Sequence, residues 1–181
     1  MNMAFAANLL IIFMELIGLR LSYRHVGKWM VIYYTEISNF LALIASLLFV
    51  LGMDASVWRY LSTCMLCLTF LVSLLVLSPQ GGLKETMFEG ECLYHHTLIP
   101  ILSLVSYVFW EGHSRLWYVP VFITVFYGFL MIFLNLIDKI EGPYDFLMIK
   151  RNGVKATFIW TIVLIIVILL ISSGIVWVSG S

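Results

Sequence analysis

Six long apolar segments dominate the chain, at residues 3–22, 29–52, 57–78, 93–111, 117–137 and 157–178. At about 1.5 Å per residue, each is long enough as a helix to cross a hydrocarbon layer of roughly 30 Å. The 181 residues are 62% hydrophobic and only 11% charged, which is more apolar surface than a soluble domain of this size could bury. The sequence predicts an all-α integral membrane protein with six transmembrane helices in one bundle.

The connectors between these segments are short, so we expect residues 1–181 to form a single transmembrane domain. The first segment differs from a secretory signal, because no Lys or Arg precedes it and Glu15 interrupts it. We therefore expect it to be retained as a membrane helix.

Basic side chains flank the segments unevenly. Only Arg59 and Arg115 lie at one set of ends, whereas eight lie at the other: Arg20, Arg24, Lys28, Lys84, Lys139, Lys150, Arg151 and Lys155. Cytoplasmic loops carry the excess of Lys and Arg, so this asymmetry predicts that both termini lie outside the cytoplasm. Net charge is zero and no basic stripe is present, which excludes nucleic acid as a partner.

The adjacent histidines His95 and His96 enter the fourth apolar segment just before Pro100. Titratable side chains at membrane depth are functional candidates, because hydrocarbon penalises them and packing does not require them. Proline has no N–H, so Pro100 also leaves the carbonyl of His96 without its usual helical partner. The pair therefore marks a candidate site.

Polar side chains in several segments share one depth. Thr35 lies about 9 Å from the cytoplasmic end of its segment, Glu15 about 10 Å, and the two histidines about 3–5 Å, at 1.5 Å per residue. Further polar groups fall in or next to this layer, namely Ser38, Asn39, Asn135, Thr157 and Thr161. The outer halves are expected to hold almost only aliphatic residues, Ser and Thr. The sequence thus predicts a polar cavity that opens toward the cytoplasm and is closed outside.

Thr35, Ser38 and Asn39 recur at helical spacing and so line one face of the second helix, while Glu36 lies about 100° round and could reach the cavity edge. A nucleophilic Thr35 would need a base within hydrogen-bond reach, which a histidine at the same depth could supply. The alternative is that these small polar residues only hold helices together.

The histidines and Glu15 also have structural interpretations. A histidine at the membrane interface could simply bond to a backbone carbonyl, and Glu15 could be an ion-pair partner, a proton-relay group or a residue that orients the site. A mixed cluster with Glu89, Glu91 and Cys92 has no recognised metal-ligand spacing, so we expect neither a metal nor another cofactor. Cys64, Cys67 and Cys92 are odd in number and are expected to be buried thiols.

Three sequence patterns resemble the androgen-induced and androgen-dependent family of small membrane hydrolases, and most closely its bacterial six-span relatives. These are Trp29-x5-Thr35, the run His-His-Thr-Leu-Ile-Pro at 95–100, and the loop Gly-Pro-Tyr-Asp-Phe-Leu at 142–147 followed by Gly153. The resemblance extends from about residue 20 to 178. It implies a threonine hydrolase that cleaves lipid esters, including fatty acid esters of hydroxy fatty acids, in a bacterial cell membrane.

The resemblance implies that Thr35 is the nucleophile. Counted back from Pro100, the eukaryotic spacing selects His95 as its partner, whereas the His-x-x-x-Pro of the bacterial relatives selects His96. We expect Thr35 to attack the acyl carbon, one histidine to take its proton, and Asn39 or Ser38 to donate to the oxyanion. The alternative function is a non-enzymatic carrier or lipid-binding protein with Glu15 and the histidines as a proton-linked site.

Overall fold

The structure, a computed structural model, describes residues 2–111 and 116–180. Within these ranges all regular elements are helical. We number the helices in chain order as α1 Met3–Val26, α2 Tyr34–Val50, α3 Ser56–Gly81, α4 Leu83–Met87, α5 Gly90–Trp110, α6 Tyr118–Leu136 and α7 Ile149–Ser179. A 3₁₀ helix, Gly27–Ile32, continues from α1, and another, Asp145–Leu147, precedes α7.

Five of these helices, namely α1, α3, α5, α6 and α7, are long and apolar enough to cross a membrane. This confirms, for the described residues, the prediction of a helical protein whose long apolar helices are consistent with an integral membrane protein. The second predicted segment is shorter than expected, because the 3₁₀ helix takes up its start and leaves α2 with 17 residues, about 26 Å. A crossing by α2, and hence the number six, stays a prediction.

Helix α3 lies at the centre of the bundle and packs against α2, α5 and α7, while α1 packs on α2 and α5, and α6 packs on α7. The main core forms where α3, α5, α6 and α7 meet, around buried Tyr60, Met65, Tyr107, Tyr127 and Ile168. The loop before α7 joins the same core through its buried Phe146 and Leu147. That loop is therefore held against the bundle.

Helices α3 and α5 each widen into a π-helical stretch just before a proline. In Ser73–Leu77 and Leu93–Leu98 the turns are wide, and the residue preceding the proline donates its N–H to the carbonyl five residues back. The cause is the proline ring of Pro79 or Pro100, which cannot donate and crowds the carbonyl four residues earlier. Such wide turns often occur at functional sites, and the second one carries both histidines.

Eight basic side chains are exposed at one end of the bundle, which we call the basic end: Arg20, Arg24, Lys28, Lys84, Lys139, Lys150, Arg151 and Lys155. Arg59 differs from the sequence-based expectation of a flanking residue, because it is buried and only 1% exposed. Arg115 lies outside the described residues. The orientation prediction therefore rests on the eight exposed Lys and Arg residues of the basic end.

The opposite half of the bundle contains a polar network, which corrects the expectation of an aliphatic outer half. The Arg59 guanidinium donates to both carboxylate oxygens of Glu111, from Nε at 2.8 Å and Nη2 at 2.9 Å. The Asn8 amide and the Ser106 hydroxyl both donate to Glu111 Oε1, at 3.0 Å and 2.6 Å. The network joins α1, α3 and α5, and it was missed because its members lie near the segment ends, where single charges are common.

Candidate functional site

A polar cavity of about 370 Å³ lies at the basic end, between α1, α2, α5 and the loop before α7. The structure brings Thr35, His95 and His96 together in its wall, together with Glu36 and Tyr144. These residues lie together because the end of α1, the start of α2 and the wide turns of α5 are all at the same end of the bundle.

Thr35 lies in the first turn of α2, where backbone N–H groups have no helical partner. The Tyr144 oxygen accepts the Thr35 backbone N–H at 3.2 Å, and the two hydroxyls are also 3.2 Å apart. Burial raises the pKa of the Tyr144 hydroxyl to about 12, so it remains protonated at neutral pH. In the described part of the chain, Thr35 forms this hydroxyl contact with Tyr144 and no hydrogen bond with a histidine.

His95 is fully buried with a carboxylate on each side of its ring. Its Nδ1 lies 3.2 Å from Glu36 Oε1, and its Nε2 lies 3.7 Å from Glu15 Oε2, which is an ion-pair distance and too long for a hydrogen bond. The ring packs so closely on α1 that a Cβ added at Gly18 would lie 2.6 Å from its Cδ2. Both ring nitrogens therefore face acidic groups, and the ring has little room to move.

His96 is held differently, by the carbonyl of Thr86 in α4. Its Nδ1 lies 2.6 Å from that oxygen. A carbonyl can only accept, so Nδ1 carries the hydrogen and Nε2 keeps a lone pair in the neutral ring. Of the two histidines, His96 therefore has the tautomer that a general base requires, with a backbone group that orients it.

Glu15 is buried next to His95, and neither of its carboxylate oxygens has a hydrogen-bond partner among the described residues. The Oε2 atom of Glu36 and the Nε2 atom of His95 are likewise buried without one. The sequence allows Glu15 to be an ion-pair partner, a proton-relay group or a residue that orients the site. Its nearest titratable neighbour in the ion-pair distances is His95.

Ser38 and Asn39 both donate to backbone carbonyls, and their expected role as oxyanion donors stays a prediction. The Ser38 hydroxyl donates to the Thr35 carbonyl at 2.8 Å. The Asn39 amide donates to the same carbonyl at 2.8 Å and to the His95 carbonyl at 3.5 Å. Their hydrogens are thus already used, and Asn39 instead links α2 to the wide turns of α5.

Asn135 also differs from its predicted place in the site. Its amide donates to the carbonyls of Ile140 and Glu141, and its oxygen accepts the N–H of Lys150. These bonds stabilise the long connection between α6 and α7. Depth in the membrane does not distinguish such a loop anchor from a site residue, because both lie near the end of the same helix.

A second, apolar cavity adjoins the first. It measures about 50 Å³ and lies among α2, α3, α6 and α7, with Thr35, Leu77, Tyr144 and Phe146 shared between the two walls. Thr35 therefore lies where a polar space and an apolar space meet. At about 50 Å³ the apolar cavity has room for only a few carbons, so this junction suits the part of a molecule where an apolar chain meets a polar group, with the rest of the chain lying outside the cavity.

Tyr144 and Thr86 are site residues that the sequence did not predict. Tyr144 belongs to the quoted loop at 142–147, and a tyrosine beside Gly and Pro in an apolar protein was the available signal. Thr86 acts through its backbone carbonyl, which a sequence does not reveal.

Within the described residues, no group of three or more His, Cys, Asp and Glu side chains could hold a metal ion. The carboxylates of Glu15 and Glu36 approach different nitrogens of His95, so they do not converge on one point. Comparisons with protein-family models, with curated proteins and with solved structures find no match.

Proposed function

We propose that this protein hydrolyses a lipid ester within the membrane, with Thr35 as nucleophile and His96 as base, in line with the family resemblance of its motifs. The observation that supports this most directly is the position of Thr35 at the junction of the apolar cavity and the histidine-lined polar cavity. An ester has the same division, since its acyl chain is apolar and its carbonyl is polar.

In the first step, the Thr35 oxygen forms a bond to the acyl carbon while its proton passes to Nε2 of His96. The ester C–O bond then breaks, and the alcohol leaves with the proton from His96. The Thr86 carbonyl contributes by holding Nδ1–H and so directing Nε2 away from α4. Substrate or one water molecule must bridge the Thr35 hydroxyl and His96 for this transfer.

In the second step, water attacks the acyl carbon and gives a proton to His96. The bond between the acyl carbon and the Thr35 oxygen then breaks, His96 returns that proton to the Thr35 oxygen, and the fatty acid leaves. Both steps pass through an oxyanion, which needs a preorganised donor. Tyr144 is the donor that we assign, because its hydroxyl lies 3.2 Å from Thr35 and burial keeps it protonated. It replaces Ser38 and Asn39 in this role.

The test uses purified protein in detergent, a fluorophosphonate probe and a panel of long-chain acyl esters. Thr35→Ala should abolish probe labelling and ester turnover. Thr161→Ala is the matched control, because Thr161 also lines the apolar cavity but its hydroxyl donates to the Thr157 carbonyl. The proposal is wrong if the wild-type protein shows no ester turnover, or turnover that Thr35→Ala does not reduce.

A second candidate is the proton-linked carrier or lipid-binding protein, favoured by the buried Glu15 carboxyl that lacks a hydrogen-bond partner. Such a carrier should show proton-coupled ligand movement in proteoliposomes that Glu15→Gln abolishes and Thr35→Ala leaves intact. An ester hydrolase should show the opposite dependence on Thr35.

A further inference from the structure

We propose that the acyl chain of the substrate leaves the apolar cavity between α6 and α7, past Gly128, and that Gly128 determines which acyl chains the protein accepts. The ester group of this substrate rests on the proposed function, whereas the course of the chain rests on the walls of the apolar cavity. Because a cavity of about 50 Å³ holds only a few carbons, a longer chain needs a way out of it.

The chemistry of the wall favours a hydrocarbon as the occupant. Five hydroxyl groups of the wall are already bonded within the bundle, namely those of Tyr34, Thr69, Thr124, Tyr127 and Thr161. The Tyr34 and Thr124 hydroxyls, for example, lie 2.7 Å apart. A polar head group in this space would lose its bonds to water and find few partners, which is costly. An acyl chain has no such requirement.

The cavity is closed on the side of α2. Tyr34, at the start of α2, reaches across to Thr124 of α6, and its ring lies edge to face with Tyr127 at a centroid distance of 5.1 Å. All three residues are buried. A chain that left between α2 and α6 would have to separate these side chains.

The sides formed by α3 and by the loop before α7 are closed as well. The lining residues Leu68, Thr69 and Ser73 of α3 are buried. Phe146 of the loop is also buried, and its ring lies 5.4 Å from that of Trp160 in α7. These two walls therefore consist of side chains packed into the core.

The wall differs where α6 and α7 form it. Here the lining residues are half-buried, namely Val125 and Gly128 of α6 and Thr161, Leu164 and Ile165 of α7. Their neighbours along the chain face outward, since Phe129 is 59% exposed and Ile162 is 40% exposed. On this side the cavity borders the outer surface of the bundle, so a chain has its shortest route to the bilayer here.

Gly128 lies on this route and leaves room in it. A Cβ added to Gly128 would have no heavy atom of a neighbouring element within 4 Å. Glycine weakens the interior of a helix, and here no close approach of another helix requires it. The missing side chain thus enlarges the cavity at the point where its wall borders the outer surface. A larger residue at this position would occupy the space that we assign to the chain.

Two esters of one alcohol test the role of Gly128. The probes are para-nitrophenyl acetate, whose acyl part has no chain to place, and para-nitrophenyl palmitate, both offered to purified protein in detergent. Gly128→Leu should lower the ratio of palmitate to acetate kcat/KM about tenfold or more, because leucine fills the path of the chain. Gly128→Ala should lower the ratio less. An unchanged ratio in Gly128→Leu would overturn the inference.

Gly174→Leu is the matched control. Gly174 is also a helical glycine with no heavy atom within 4 Å of an added Cβ, but it lines a separate apolar groove between α3, α5 and α7. Leucine is a better helix former than glycine, so both leucine variants should fold, which Tm measures. Gly174→Leu should leave the ratio unchanged. A fall as large as that of Gly128→Leu would contradict a specific role for Gly128.

Cross-linking locates the chain with Gly128 in place and without turnover. The Thr35→Ala variant is illuminated with a palmitoyl ester that carries a diazirine near its carbonyl end, and the cross-linked residues are identified by mass spectrometry. We expect cross-links in α6 and α7, around Val125, Gly128 and Ile165. Cross-links that lie only on other helices would overturn the inference.

These measurements separate the inference from the proposed function. If wild-type protein hydrolyses both esters and Gly128→Leu leaves their ratio unchanged, the hydrolase stands and the path of the chain is wrong. If the cross-links fall on α6 and α7 but no ester is hydrolysed, the chain site stands and the hydrolase is wrong.

Discussion

The Tyr144 hydroxyl lies 3.2 Å from both the hydroxyl and the backbone nitrogen of Thr35, although the two residues are 109 positions apart in the chain. The contact caps the start of α2 and fixes the candidate nucleophile against the loop before α7. It also defines the boundary between the two cavities, since both residues line both.

Tyr144→Phe removes this hydroxyl while keeping the ring. We expect ester turnover to fall about 100-fold or more, the usual effect of losing an oxyanion donor. The free energy of unfolding should fall by about 1 kcal/mol, because the Thr35 N–H loses its acceptor. Turnover and thermal unfolding, measured on the same preparation, test the two expected losses. Unchanged turnover would exclude Tyr144 as the oxyanion donor.

The two histidines should respond differently to substitution. His96→Gln should abolish turnover with little change in stability, because its ring is held by one backbone carbonyl. His95→Gln should lower stability by about 3 kcal/mol, because it leaves the buried Glu15 and Glu36 without a partner that can carry charge. Turnover normalised to folded protein, measured together with Tm, distinguishes the His95 variant from the His96 variant.

The double variant Thr35→Ala with His96→Gln should have little less turnover than either single variant, since the members of one catalytic unit act non-additively.

Gly18→Ala tests the close packing of α1 on His95. The added methyl would overlap the His95 ring, and it would lie 3.2 Å from the Tyr94 Cβ. We expect a loss of about 1 to 3 kcal/mol, the range for overpacked interiors, together with reduced turnover. Gly174→Ala is the control, because nothing lies within 4 Å of its added methyl. Equal Tm values for the two variants would contradict the packing argument.

Arg59→Met tests the buried network of the opposite half. It should cost about 3 to 5 kcal/mol, because Glu111 remains buried without its partner, and Arg59→Met with Glu111→Leu should recover most of the loss. Lys150→Met removes an exposed pair with Asp138 and should cost less than about 1 kcal/mol. Thermal unfolding of these three variants measures each loss of stability. If the double variant is as unstable as Arg59→Met alone, the unpaired buried charge of Glu111 is not the cause of the loss.

The orientation prediction is tested with reporters placed in the two kinds of loop. One inserted after Glu141 should report the cytoplasm, and one inserted after Met53 should report the outside, because the exposed basic residues gather at the first of these ends. The reverse result would invert the labels of the two ends while leaving the cavity geometry unchanged.

The sequence alone determined the helical character and most helix positions, since long apolar segments have few other stable forms in a membrane. It also predicted that Thr35, His95 and His96 share one depth, because rise per residue converts position into distance along a helix. It did not predict the shortened α2, which depends on where the 3₁₀ helix gives way to the α-helix at Tyr33.

Tertiary structure decided which polar groups contact one another. Depth placed Ser38, Asn39 and Asn135 in one layer with Thr35. Ser38 and Asn39 donate to the Thr35 carbonyl, whereas Asn135 bonds to the loop after α6. Tyr144 was placed by the packing of a loop against the core. The physical reason is that apolar periodicity specifies how far along a helix a residue lies, whereas its partner depends on helix rotation and on loops whose contacts are distant in sequence.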